Sequence, residues 1–430
     1  MIHRLLLICL SVPSVWADQQ PIVSAIEFKG HLITKDYIIE REIQHLIDAP
    51  LDSVVARGDR DRLYNLGIFA DVTWRAIPLE DLTVILEYKV IETSLRILPA
   101  GGPAYEEEYG WSFGGMLRIN NFRGKNEKFT LGGSTGARRA YFFEFKNPWI
   151  MGDHVSLDVM TGKSITAHPF LPYERNVTTA EINLGRYFGY NHKARVGFEW
   201  ERKIFTPITN NNKDTLDYYY IAPQGSYIYD TRDIYRDPSK GSLFVQIIYS
   251  QVGLESKRRN LWWSQSYSFY HSLVKTERKL TAAFNLSYLT TFGDVDEPLV
   301  SWLGGSETVR GWSIPDQSIY KNDDNAYRFG NHFAIISTEL RQTIIPTSVF
   351  TTNLFNWKQE YGLSAIAFLD VGLISRERKE LFDELPMAGI GFGFRIPAPM
   401  IGTIGLDYGW GYRDGEFIDQ VLHLVIGQKF

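Results

Sequence analysis

The sequence is nearly free of cysteine, because Cys9 is the only one among 430 residues. Cys9 lies in an N-terminal apolar run, so a chain cleaved after Ala17 would contain no thiol. Disulfides, thiolate metal sites and a cysteine nucleophile are therefore excluded from the mature chain. The 9 histidines are scattered and show no metal-ligand spacing such as H-E-x-x-H. We accordingly expect no metal and no cofactor.

Long apolar runs and excess positive charge are also lacking. No window approaches the ~18 consecutive apolar residues that indicate a transmembrane helix. The net charge of -5 excludes the basic footprint that is typical of nucleic-acid-binding proteins. Residues 1–17 have the pattern of a secretory signal peptide, with Arg4 before the apolar run and Val15–Ala17 as a small-x-small cleavage site. The sequence therefore predicts an exported protein that is either soluble or a membrane barrel.

Residues 18–92 predict a small α+β domain. Pro21 to Lys29 alternates in the manner of a strand, and helical spacing follows from Thr34 to Ile43 and from Asp59 to Leu66. Two further alternating runs, at about 70–77 and 82–90, predict a strand pair. The expected order is thus strand, helix, helix, strand, strand.

Three segments of this domain carry a family resemblance: Ile26–Gly30, Arg62–Val72 and Val84–Glu92. They are similar to the POTRA domain, the periplasmic module of outer-membrane assembly proteins, and the middle segment is the most specific. The resemblance implies a periplasmic domain whose exposed sheet edge binds a partner or client chain as an added strand. A plain spacer domain is the alternative.

Residues 93–430 show strand patterns alone, which predicts an all-β transmembrane barrel of about sixteen antiparallel strands. The candidate strands lie near 94–101, 109–119, 126–136, 138–147, 152–164, 176–188, 191–205, 216–229, 241–252, 260–273, 277–290, 332–345, 360–374, 385–396, 402–412 and 420–430. Gly132–Gly136 fits the hydrolase pattern G-x-S-x-G, but no helix follows it, so we expect no enzyme.

The two runs from Met387 to Ile396 and from Ile404 to Trp410 place bulky residues on one face and small residues on the other. We expect the bulky face to contact lipid and the small face to line the lumen. A nearly bare inner wall has room for a chain segment, and the loop at about 291–331 is the candidate to fold inward. The expected wall glycines are Gly389, Gly391, Gly393, Gly405 and Gly409.

Within that loop, Arg310 is flanked by glycines and by large aromatic side chains. Strand parity places the carboxylates of Glu339 and Asp370 in the lumen, where they are the expected partners of Arg310. A bidentate contact between arginine and carboxylate is strong and directional, and lysine cannot reproduce it. The candidate loop motif is Val309, Arg310, Gly311 and Trp312.

Several barrel segments resemble the superfamily of BamA, TamA and FhaC-type proteins, also called bacterial surface antigens. In order they are Val309–Trp312, Ser337–Leu340, Phe368–Gly372, Ala388–Gly391 and Leu422–Phe430. The resemblance implies a barrel in the bacterial outer membrane, surrounded by lipid, with the POTRA domain in the periplasm. It also implies unfolded polypeptide clients. The chain departs from the main insertase of the family in having one POTRA domain.

The seam between the first and last strands is expected to be weakly paired. The first strand contains Pro99, which cannot donate to the ladder, and the last has Gly427 before the terminal Phe430. One hypothesis is a seam that opens sideways, so that a client strand pairs with the free edge. The other is a statically closed barrel with a blunted edge. The function expected is assembly or insertion of outer-membrane proteins. The alternatives are a two-partner-secretion-type transporter and a plain pore or surface antigen.

Overall fold

A computed structural model describes residues 20–81, 83–93, 97–151, 155–208, 214–255, 258–352, 357–398 and 402–430. The predicted signal peptide lies outside these described residues. Among the helices of this part of the chain, none is long and apolar enough to cross a membrane.

The N-terminal domain is a three-stranded sheet with two helices. Its elements are β1 (Ile22–Lys29), α1 (Asp36–Glu40), α2 (Ser53–Asn65), β2 (Phe69–Pro78) and β3 (Thr83–Glu92). The strand order is β1-β3-β2, with β1 parallel and β2 antiparallel to β3. The domain has its own apolar core, built from residues such as Val23, Ile39, Leu63, Leu86 and Val90.

Helix α2 begins earlier than the sequence predicts, at Ser53 and not at Asp59. The carboxylate of Asp52 accepts hydrogen bonds from the backbone N–H groups of Val54 and Val55, which satisfies donors at the new N-terminus. Gly58 weakens the helical signal in this turn, but Ala56 is buried in the core and its packing outweighs that cost.

Most of the remaining residues form a sheet of 16 antiparallel strands, which confirms the predicted architecture, and two short strands in the inward loop pair only with each other. Each strand of this large sheet pairs with the strands before and after it in the sheet, and β14 (Leu280–Gly293) pairs with β17 (His332–Thr352) across the inward loop. The elements are β4 (Ile97–Glu106), β5 (Gly110–Phe122), β6 (Glu127–Gly136), β7 (Arg138–Asn147), β8 (Val155–Ala167), β9 (Tyr173–Phe188), β10 (His192–Pro207), β11 (Leu216–Asp230), β12 (Gly241–Gly253), β13 (Arg259–Val274), β14 (Leu280–Gly293), β15 (Ser301–Trp302), α3 (Gln317–Lys321), β16 (Phe329–Gly330), β17 (His332–Thr352), β18 (Trp357–Ser375), β19 (Met387–Ala398), β20 (Gly402–Arg413) and β21 (Glu416–Ile426), with 3₁₀ turns at Glu297–Leu299, Asp323–Arg328 and Arg378–Glu380.

The sheet curls into a nearly closed barrel, since the turn after β4 reaches β21 through a contact between Glu107 and His423. Side chains alternate across its wall as predicted. Phe392 and Phe394 are about half exposed on the outer face, at 48% and 51%, whereas Asp370 and Asp407 on the inner face are fully buried. The outer face is therefore the apolar one.

The last strand differs from the prediction of 420–430, because it begins at Glu416 and ends at Ile426. Gly427 has a φ of 89°, a left-handed conformation that turns the chain out of the sheet. The residues after it lie inside the barrel, where Lys429 contacts Asp370 and the carbonyl of Phe430 accepts from Arg341. The sequence pattern missed this turn because alternation continues formally through Phe430.

The N-terminal domain lies against one end of the barrel. The side-chain amide of Asn65 donates to the Asp233 carbonyl and accepts from the Tyr235 N–H, at 2.8 and 3.0 Å. On the other side of the domain, Lys35 donates its N–H to the Gly124 carbonyl at 3.0 Å. The domain is therefore joined to barrel turns at two separate points.

Candidate functional site

The loop between β14 and β17 folds into the barrel, so that Leu303, Val309, Arg310 and Trp312 are at most 1% exposed. Gly311 has a φ of 88°, and a Cβ at this position would lie 2.6 Å from the backbone carbonyl of Trp410. The loop therefore runs directly against β20, and only glycine fits this approach.

The guanidinium of Arg310 is surrounded by three carboxylates. Its Nε and Nη2 donate to Asp370 at 2.8 and 3.0 Å, a bidentate contact. Its Nη1 donates to Glu339 at 2.6 Å and to Asp407 at 3.1 Å. The backbone N–H of Arg310 also donates to Asp370, at 3.0 Å, and the guanidinium stacks 3.9 Å above the Phe368 ring. The structure thus brings Arg310 together with both expected partners and with Asp407, a third.

The carboxylates around Arg310 are held by further cations. Arg341 donates to Glu339 at 2.7 Å, Arg395 to Asp407 at 2.8 Å, and Lys429 to Asp370 at 2.8 Å. All three carboxylates have no exposed side-chain surface. Such a buried network is stable only while every member keeps its partners.

The predicted wall glycines fall into two groups, those that contact the loop and those that contact side chains of the barrel itself. A Cβ on Gly389 would collide with the Arg310 carbonyl oxygen, and one on Gly409 would lie 3.0 Å from Gly311 Cα, so these two glycines make room for the loop. The structure corrects the expectation for Gly391, Gly393 and Gly405. Space beside these three is taken by the side chains of Phe368, Asp407 and Arg395.

Two glycines outside the expected set also contact the loop. A Cβ on Gly411 would lie 2.8 Å from the Trp312 ring, and one on Gly372 would lie 2.6 Å from Val309. Trp312 is fixed further by its indole N–H, which donates to the Ala388 carbonyl at 2.7 Å. The loop is therefore fitted to the wall along β18, β19 and β20.

The loop is also tied to the last strand. Gly311 donates its N–H to His423 Nε2 at 2.9 Å, so Nε2 accepts and Nδ1 can donate to Glu107 at 2.8 Å. Ser306 donates its N–H to the same Glu107 carboxylate at 3.0 Å. Burial acts to raise the pKa of Glu107, but the bonds from His423 and Ser306 hold the pKa below its ordinary value. His423 thereby links loop, first hairpin and last strand, a role that strand parity gave no reason to assign.

The edges of the sheet, β4 and β21, are not paired with each other within the described residues. The backbone of Pro99 lies opposite Leu117 in the pair of β4 and β5. Gly427 donates its N–H to the Thr403 carbonyl at 2.6 Å, after which the chain turns inward. The sequence predicts Phe430 at this seam, but its ring lies in the lumen, 5.1 Å from the Arg341 guanidinium. The described residues contain no cluster of three or more His, Cys, Asp or Glu side chains that could hold a metal ion.

Comparison with known families gives two matches. Residues 121–430 match the Omp85 superfamily domain, and residues 21–93 match POTRA, described as a surface antigen variable number repeat. The first match covers well over half of the chain.

Solved structures with the same fold include BamA from Haemophilus ducreyi lacking POTRA domains 1-3. It is 17% identical, with a TM-score of 0.55, over 94% of this chain and 85% of that chain. CdiB from Acinetobacter baumannii is 14% identical, with a TM-score of 0.52, over 94% of this chain and 73% of the other. CdiB from Escherichia coli is 11% identical, with a TM-score of 0.51, over 96% and 92%. With its sixteen-stranded barrel, single POTRA domain and inward loop, this chain belongs to the Omp85 superfamily.

Proposed function

We propose that this protein inserts or assembles other polypeptides in the outer membrane by pairing their strands with its own seam. Its superfamily supports a role in outer-membrane insertion or transport. The step proposed here is the pairing of a client strand with a free sheet edge, without covalent chemistry. Outer-membrane lipid surrounds the apolar face of the barrel, and the POTRA domain faces the periplasm.

The observation that carries the proposal is the pair of edges, β4 and β21, which do not pair with each other in the described residues. An unpaired edge presents a row of backbone N–H and C=O groups, which can bind any strand without regard to its sequence. Glu107, in the turn after β4, and His423, on β21, bridge the two edges through a side-chain contact. A seam bridged by side chains opens more easily than one closed by a full ladder.

The inward loop favours work at the seam over passage through the lumen. Passage of a chain along the axis would require the loop to leave, and Arg310 would then lose its contacts with Glu339, Asp370 and Asp407. Breaking a buried ion pair by removing one partner costs about 3–5 kcal/mol. Opening between β4 and β21 leaves this network in place.

The POTRA domain supplies a second surface for clients. Its sheet order, β1-β3-β2, leaves β1 and β2 as edges. The start of β1 is already bonded to residues 48–51, so an extended polypeptide can join the β2 edge through main-chain hydrogen bonds before it reaches the barrel. A two-partner-secretion-type transporter remains the second candidate, because the superfamily supports transport as well as insertion.

Depletion of the protein, followed by quantitative proteomics of the outer membrane, tests the proposal. A broad loss of barrel proteins supports insertion or assembly. Loss of a single exported protein supports dedicated transport instead, and an unchanged proteome leaves a plain pore or surface antigen.

A locked seam tests the mechanism itself. Tyr105 on β4 and Leu424 on β21 line the same cavity at the seam, so Tyr105→Cys with Leu424→Cys can be joined by a cleavable bifunctional maleimide. The proposal expects loss of complementation while the link is intact and recovery after cleavage. The control is Leu340→Cys with Ala367→Cys, which lie opposite each other on the paired strands β17 and β18. Equal complementation by both linked proteins would contradict the mechanism.

A further inference from the structure

A cavity of about 680 Å³ lies between the POTRA domain and the barrel wall. Its wall is formed by strands β6 to β10 and by the end of β11, and helix α2 contributes residues from the opposite side. Four cations and one carboxylate, Asp158, come from strands β6 to β10. The other carboxylates of the lining belong to the end of β11 and the turn after it, or to the POTRA domain: Asp230, Asp233, Glu42 and Asp61. The four cations are Lys128, Lys146, Lys193 and Arg195.

Two of the four cations on this wall have no carboxylate partner within the described part of the chain, whereas Arg195 lies 3.9 Å from Asp158. Lys128 lies directly opposite Lys146 in the pair of β6 and β7, an arrangement of like charges that costs stability. Lys146 contacts Glu144, whereas Lys128 has no ion pair within the described part of the chain. Lys193 donates to the Tyr187 hydroxyl at 3.2 Å and likewise has no ion pair among those residues.

Three side chains that carry hydrogen-bond donors lie close together on the same wall. The Oγ of Ser156, a residue only 1% exposed, and the Nε of Arg195 have no hydrogen-bond partner among the described residues. Gly185 lies between them: a Cβ there would be 2.5 Å from Ser156 Oγ, 3.0 Å from Lys193 Cε and 3.1 Å from Arg195 Cγ. Glycine at this position thus keeps a serine, a lysine and an arginine around one small space.

We propose that Ser156, Lys193 and Arg195 bind a phosphate group in this cavity, with Lys128 and Lys146 adding positive charge. Phosphate oxygens accept hydrogen bonds from hydroxyl, ammonium and guanidinium groups alike. A phosphate monoester carries about −1.5 to −2 charges at pH 7. This charge matches the two wall cations that have no carboxylate partner among the described residues, Lys128 and Lys193. A lipid headgroup and a soluble phosphate share this chemistry.

The test is a binding titration on purified full-length protein in detergent. The probes are inorganic phosphate and dihexanoyl phosphatidic acid. Calorimetry and phosphorus NMR measure the binding of each probe. Lys193→Gln is expected to weaken binding about 10- to 100-fold, the loss of one charge-assisted hydrogen bond. Lys203→Gln is the control, because Lys203 lies on the same strand but pairs with Glu201 at 3.0 Å.

Tighter binding of dihexanoyl phosphatidic acid than of inorganic phosphate would identify a lipid headgroup, and equal affinities a soluble phosphate; both support the proposal. It is overturned if the protein binds neither probe at millimolar concentration, or if Lys203→Gln weakens binding as much as Lys193→Gln. Triglutamate, an anion without a phosphate group, tests whether the site only attracts negative charge. The proposal is also overturned if triglutamate binds as tightly as inorganic phosphate and Ser156→Ala changes the affinity for neither of the two anions. Heat-modifiable migration checks that each variant folds. Lys128→Gln examines the same wall should Lys193→Gln not fold.

Discussion

Replacement of Arg310 by alanine should destabilise the barrel strongly. The variant loses four side-chain hydrogen bonds to three carboxylates that have no exposed side-chain surface. Lys429, Arg341 and Arg395 remain beside those carboxylates. The free energy of unfolding should therefore fall by the amount expected when one partner of a buried ion pair is removed, about 3–5 kcal/mol. Arg310→Lys keeps the charge but cannot form the bidentate contact, so we expect an intermediate loss.

The assay is heat-modifiable electrophoretic migration of the purified barrel across a urea series. The control is Arg202→Ala, which removes an arginine with a bidentate contact to Asp217 at 2.7 and 3.1 Å, on side chains that are 37% and 36% exposed. An exposed pair of this kind contributes only about 0–1 kcal/mol. Equal unfolding midpoints for Arg310→Ala and Arg202→Ala would refute the reasoning, because Arg310 is buried and contacts three carboxylates, whereas Arg202 is exposed and contacts one.

Three other predictions concern the loop and its neighbours. Gly389→Ala should displace the loop and expose it to protease, because the new methyl group meets the Arg310 carbonyl, whereas Gly225→Ala, with its nearest atom at 3.9 Å, should not. His423→Phe removes the acceptor of the Gly311 N–H, so hydrogen exchange at that amide should quicken by about tenfold or more; unchanged protection would contradict the link. Burial lowers the pKa of His168 to about 4, so neutral His168 is favoured in the fold, and its packing should weaken as the pH falls from 6.5 to 4. The size of this effect is on the order of 3 kcal/mol, and pH-dependent proteolysis of the surrounding loops, compared with His168→Gln, measures it.

The strand pattern predicted much of the barrel because an alternating apolar face depends only on neighbouring residues. The same alternation placed Glu339 and Asp370 in the lumen, where the structure finds them. It also placed Asp407 on the small-residue face, but parity gives no distance along the axis, so it could not show that Arg310 reaches a third carboxylate.

Two other contacts depend on information that local patterns lack. The link from His423 to Glu107 joins residues 316 positions apart, and it exists only because the barrel curls back on itself. The inward course of Lys429 depends on the conformation of Gly427, which alternation cannot report. Likewise, side chains of Phe368 and Arg395 fill space beside glycines that were expected to receive the loop.

The shared oxygen of Asp370 has a thermodynamic consequence. Its Oδ2 accepts from Arg310, which belongs to the loop, and from Lys429, which follows the last strand. Any force that withdraws the chain end leaves this carboxylate with less positive charge, and so changes the free energy of extracting the arginine. Linkage is reciprocal, so a displaced loop must alter the hold on the terminal segment by the same amount. Motions at the two ends of this contact therefore form one coupled equilibrium.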